Sequence, residues 1–155
     1  MLFQSKDGHR APKKVEINKN TRTKDFYKNK KQLIRFLILI ENVNKKELLD
    51  FEKDTKGIQV EHIMPQTLNE HWTNITEEEH EEHLHTLGNL SITYNNQGLS
   101  NKSFADKKRF LKEKSKINLN LILDDYDEFG PTQIQDRLEK ILDIFYREYL
   151  DYKSS

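Results

Sequence analysis

Two short stretches, VEHIMPQ at 60–66 and LGNLSITYNNQGLSNKSF at 87–104, gather residue types that activate water and hold an anion. His62 is the natural general base, because an imidazole with an ordinary pKa of about 6.5 takes up a proton at working pH. Asn89, Asn95, Asn96 and Asn101 supply neutral amide oxygen, and Glu61 beside the histidine supplies a carboxylate. Oxygen ligands of this kind suit a hard cation such as Mg²⁺, which needs one or two protein groups and keeps its waters. Hydrolysis of a phosphodiester asks for such a set: a water deprotonated near neutral pH, a cation on the phosphate and leaving oxygens, and donors that hold the phosphate. Each residue also has a plainer role. A single histidine after a strand is most often structural, asparagines in YNNQG are turn formers that tolerate left-handed backbone, and Lys107 and Lys108 read by default as a solvated helix face.

For these residues to meet, a strand must carry Glu61 and His62, a turn the asparagines, and a helix the lysines. GIQVEHI at 57–63 and NLSITY at 89–94 read as strands, NNQG at 95–98 as a turn, and SFADKKRFLKEKSK at 103–116 as a helix that Ser103 caps, with Phe104, Phe110 and Leu111 facing inward. On a strand, Glu61 and His62 point to opposite faces unless a twist or bulge turns them together. Pro65 ends the first strand and leaves a loop, and Thr76 with Glu79 has the capping-box spacing that opens a helix over TEEEHEEHLH. Upstream, the spacing of Phe26, Leu33, Ile34, Leu37, Ile38 and Ile40 predicts a helix over 23–42, followed by a shorter one in KKELLDF. NLNLIL at 118–123 reads as strand or extended loop, and Pro131 starts a packing helix over 131–150. Residues 1–22, polar and lysine-rich with Gly8 and Pro12, read as a flexible basic lead or linker.

The chain has 155 residues and no cysteine, which excludes disulfides, thiolate nucleophiles and cysteine-held zinc. HEEHLH at 80–85 lacks the HExxH spacing of a zinc helix, so its histidines are read as carrying no dedicated metal. No apolar run approaches membrane-spanning length and no signal peptide is legible, so a cytoplasmic location is expected. The net charge is zero, with 26 basic and 26 acidic residues, but the charges segregate. Residues 1–36 hold 11 Lys and Arg against 3 acids, and residues 86–118 hold 7 against 2. Basic blocks of this kind make phosphate-facing surfaces even on a neutral protein, because the local field governs the encounter.

EHIMPQ followed by LGNLSI and NNQGLSNKSFADKK resembles the HNH, or His-Me finger, nuclease motif in the form found in the C-terminal domain of GmrSD-type modification-dependent restriction endonucleases. The resemblance implies an α+β fold, mostly helical, with an embedded ββα-metal (HNH) element: a nuclease domain over 23–155 with its motif core at 58–115. It implies metal-dependent cleavage of DNA, modified DNA included, in restriction or phage defence. His62 matches the general base, and Asn89 matches the asparagine that braces the loop and orients it. Glu61 and Asn96 match the positions that hold Mg²⁺ or Mn²⁺, with Asn95 and Asn101 as alternatives to Asn96. Lys102, Lys107 and Asn101 sit where phosphate contacts are expected. An upstream or separate NTP-hydrolysing specificity domain is implied as partner, since no phosphate-cradling glycine loop occurs in this chain, and a homodimer would bring two sites to a duplex. The competing expectation is a nucleic-acid or protein-interaction module that retains the frame without catalysis.

Overall fold

The computed structural model describes residues 14–43 and 45–150. β1 (Gln59–His62) and β2 (Leu90–Thr93) form an antiparallel pair in which Gln59 faces Thr93 and His62 faces Leu90. A two-stranded ribbon is marginal in water. Here it survives by burial, for every residue of β2 is inside. One apolar cluster joins Leu90 and Ile92 to Leu33, Phe36 and Leu37 of α2 (Lys30–Glu41) and to Leu138, Ile141 and Leu142 of α6 (Pro131–Tyr149). A second joins Ile63, Met64 and Trp72 to Phe104 and Leu111 of α5 (Phe104–Lys114). Ile134 lies in the second cluster and Leu138 in the first, so α6 ties the two together. The protein is α+β and mostly helical, as the sequence implies.

The local start signals hold. Thr76 and Glu79 close the capping box of α4 (Glu77–His83), Ser103 accepts from Asp106 N at the head of α5, and Pro131 opens α6. The helix expected over 23–42 starts later: Tyr27–Asn29 form a 3-10 turn, and the Asn29 side chain caps α2 by accepting from Gln32 N. In KKELLDF only the end becomes helical, as α3 (Phe51–Asp54), because Asp50 caps there. Residues Asn118–Asp125 are 3-10 helix rather than strand. Both oxygens of the buried Glu41 carboxylate accept from their first amides, Asn118 N and Leu119 N, which favours a helical start.

The lead expected over 1–22 is corrected in part. Residues 1–13 lie outside the described residues, but Lys14–Thr21 form a helix, α1, that docks on α6. Ile17 is buried, and the Tyr146 hydroxyl donates to Lys14 O or Asn18 Oδ1, each 2.9 Å away. One buried apolar residue in eight leaves no periodic signal, so the helix is held by tertiary contact rather than by its own pattern.

The turn between α4 and β2 packs on α6 without a gap. A Cβ on Gly88 would lie 1.9 Å from Ile134 O. Beside it the fully buried Arg137 donates from Nη1 to Gly88 O at 2.9 Å and Leu90 O at 2.8 Å.

Candidate active site

β1 ends on His62, a buried residue whose side chain forms part of a cleft wall, and Asn89 fixes the chain that leaves it. Ile63 N donates to Asn89 O at 3.0 Å, and Met64 N donates to Asn89 Oδ1 at 2.7 Å. Asn89 Nδ2 donates in return to Met64 O at 3.0 Å and to Leu84 O at 2.9 Å. All its polar capacity is spent on backbone, and the residue is fully buried. It braces the loop after the histidine and does not line the cleft. His80 Nε2 adds a bond to Pro65 O at 2.7 Å.

A cleft of about 260 Å³ opens there, lined by Tyr27, Glu61, His62, Asn96, Asn101 and Lys107 among others. Glu61 and His62, although consecutive on β1, both reach it. The buried Lys107 ammonium connects them: Nζ donates to Glu61 Oε1 at 2.9 Å and to His62 O at 2.7 Å. Burial pushes the Glu61 carboxyl up, opposed by the lysine, and pushes the Lys107 ammonium down, opposed by the carboxylate. Two expectations change with this geometry. Lys107 is an internal clamp with no exposed ammonium for a phosphate. Glu61 is its counter-ion through Oε1, which leaves Oε2 as the oxygen a metal site could use.

His62 is boxed by two rings that type and spacing gave no reason to single out. Its Nε2 lies 3.0 Å from His85 Nδ1, so the two imidazoles adopt complementary tautomers. Tyr27 stacks on His85 at 5.1 Å between centroids and meets His62 edge-on at 4.6 Å. Burial, then the neighbouring His85, Lys107 and Lys30, lower the His62 pKa to about 4, and Asp25 opposes them weakly. The ring is therefore neutral at physiological pH, with a free lone pair that is a weaker base than an ordinary imidazole. His85 stands 23 residues from His62 and Tyr27 lies in a different segment, before α2, so no local spacing relates them.

Of the asparagines, Asn96 and Asn101 line the cleft. Asn95 does not; its side chain accepts from Gln97 N at 3.0 Å and shapes the turn. Lys102 is exposed but lines a neighbouring hollow with Asp106 and Arg109 rather than the cleft. Trp72 belongs to the core, with its indole N–H on Lys102 O at 3.1 Å. Among the described residues no group of three His, Cys, Asp or Glu converges as a metal site. The available donors are the amide oxygens of Asn96 and Asn101 and Oε2 of Glu61, a set that suits a hard cation completed by water and phosphate oxygen and does not suit zinc. A larger cleft of about 490 Å³ near the start of α6 carries Asp127 and Glu128 in its wall, the wrong sign for a polyanion.

A family model for the C-terminal domain of GmrSD restriction endonucleases matches residues 11–144. The chain belongs to that family. Comparison with curated proteins gives no match. As a GmrSD C-terminal domain the protein is a restriction endonuclease domain, and the match spans α1, the hairpin, α5 and most of α6. Membership thus covers the helices that package the cleft as well as the strands that line it. None of the described helices is long and apolar enough to cross a membrane.

Proposed function

We propose that this GmrSD C-terminal domain is an HNH-type endonuclease that hydrolyses DNA phosphodiesters, with His62 as general base. The observation that carries the reading is the neutral His62 held at a solvent-open cleft by Asn89 behind it and His85 beside it. With His85 Nδ1 accepting from His62 Nε2–H, the other His62 nitrogen keeps the lone pair that takes the proton of the attacking water. Asn89 fixes the backbone that aims the ring. Lys107 and Glu61 hold the end of β1 and place a neutralised pair under the cleft. Asn96, with Asn101, would hold Mg²⁺ or Mn²⁺, which supplies charge stabilisation for the phosphate and leaving oxygens when bound. DNA as the substrate class is the part of this reading that the family supports; modified DNA and an NTP-hydrolysing partner are proposed with it.

Plasmid nicking in Mg²⁺, Mn²⁺ or EDTA, beside His62→Ala and Asn96→Ala, tests the reading. Cleavage should require the metal and disappear in folded His62→Ala; cleavage that persists there removes His62 from the role.

A further inference from the structure

The site has a charge deficit that its own motif does not fill. Lys107 is buried and paired, and Lys102 points into a neighbouring hollow, so neither motif lysine offers the cleft a solvent-facing cation. The chain from Phe26 into the first turn of α2 places one beside it. Phe26 N donates to His85 O at 2.9 Å, which pins this segment against the histidine pair, and Tyr27 then forms part of the cleft wall. Lys30 Nζ lies 4.3 Å from the centre of the Tyr27 ring, which anchors an exposed ammonium beside that wall. The charge of Lys30 also reaches His62, whose protonation it disfavours.

Four lysines, at 24, 28, 30 and 31, lie within four residues of this tyrosine along the chain, and none pairs with a carboxylate among the described residues. The one acid between them, Asp25, is turned inward to accept from Tyr27 N at 2.9 Å and Lys28 N at 3.1 Å. Other exposed lysines, Lys53, Lys114 and Lys116 among them, also lack a carboxylate partner among the described residues, so what distinguishes this group is its place beside Tyr27 in the cleft wall.

We propose that Lys28, Lys30 and Lys31, set around Tyr27, form a phosphate-binding rim of the cleft that grips the nucleic-acid backbone beside the scissile bond. The inference rests on the nuclease reading for its substrate but makes a separate demand on binding. The rim reads phosphate, not sequence, so it contributes affinity that salt erases.

The test is fluorescence anisotropy of labelled duplex DNA with the His62→Ala chain, over a salt series, against the same chain carrying Lys28→Gln, Lys30→Gln and Lys31→Gln. A control chain carries Lys114→Gln and Lys116→Gln. The rim variant should bind at least about tenfold more weakly, and its salt slope should shrink by about 0.9 for each phosphate that the rim no longer neutralises. The control should match the parent. Equal slopes in rim variant and parent, or equal weakening in rim variant and control, overturn the rim and leave the nuclease reading standing. DNA binding with a rim-dependent slope but no cleavage by the unmutated chain sinks the nuclease reading and keeps the rim. No DNA binding by the parent overturns both.

Discussion

Two cations are fully buried among the described residues, one against the end of β1 and one against the turn into β2, and they are held differently. At the floor of the cleft Lys107 meets a carboxylate and a carbonyl. Behind the hairpin Arg137 meets only carbonyls, of Gly88 and Leu90 most closely, and its Nε and Nη2 have no hydrogen-bond partner among the described residues. Burial lowers the Arg137 pKa to about 10, so it remains charged at neutral pH without a counter-ion. An ion pair neutralises the ground beneath a site that must receive an anion, whereas a guanidinium on carbonyl dipoles only has to fix a turn. The first region is built around charge and the second around shape.

The largest effect should come from shape. Gly88→Ala places a methyl against Ile134 O with no side chain to move aside, and a loss of about 4 kcal/mol or more is expected in denaturant unfolding. A loss below about 1 kcal/mol would show that α6 slides easily and that the turn is not clamped.

Lys107→Met leaves Glu61 buried and unpaired, and should cost about 3 kcal/mol. Adding Glu61→Gln should return part of that loss, because the stranded charge is then gone. A strictly additive double mutant would contradict the pairing. Cleavage should fall further than the unfolded fraction explains, since the clamp also holds His62 O.

Acidification reads the floor selectively. His62 is held near pKa 4 when folded and near 6.5 when unfolded, so the unfolded state binds the extra proton. Stability is therefore complete above about pH 6.5 and drains away as pH falls toward 4, by roughly 2–3 kcal/mol. Melting curves of His62→Gln should lack that component. If wild type and variant lose stability in parallel over this window, the ring is not held neutral.

Arg137→Met should be milder, about 2 kcal/mol, since it strands carbonyls rather than a charge and releases a desolvated guanidinium. Its cleavage should track the folded fraction. A larger stability loss than in Lys107→Met would reverse the contrast between the two regions.

Much of the site is legible in the sequence because the hairpin compresses it into one stretch of chain. The strand before Pro65, the strand after Gly88, the Ser103 cap and the Pro131 start are local signals, and each governs backbone within a few residues of itself. His62 and Asn89 are singled out by a resemblance carried in residue type and order, and strand pairing brings them together. What spacing misassigns is equally instructive. Lys107 looks like a solvated or phosphate-facing residue because a helix pattern does not say which face a long side chain enters. Glu61 looks unpaired because its lysine partner lies 46 residues away. α1 escapes a reading by pattern because its single buried isoleucine has meaning only once α6 is present.

Short-range backbone preference and side-chain chemistry are enough to set the element types around the motif, the hairpin, and the presence of an imidazole with amide oxygens, and all of these are written in the order of residues. Which charges are spent inside and which remain for a ligand is a different matter, settled by packing. Folding pairs Glu61 with Lys107, sets His85 and Tyr27 against His62, and seats the Lys30 ammonium on the Tyr27 ring. The first two are contacts between distant segments, and the balance of desolvation against pairing that governs them exists only after the chain has folded.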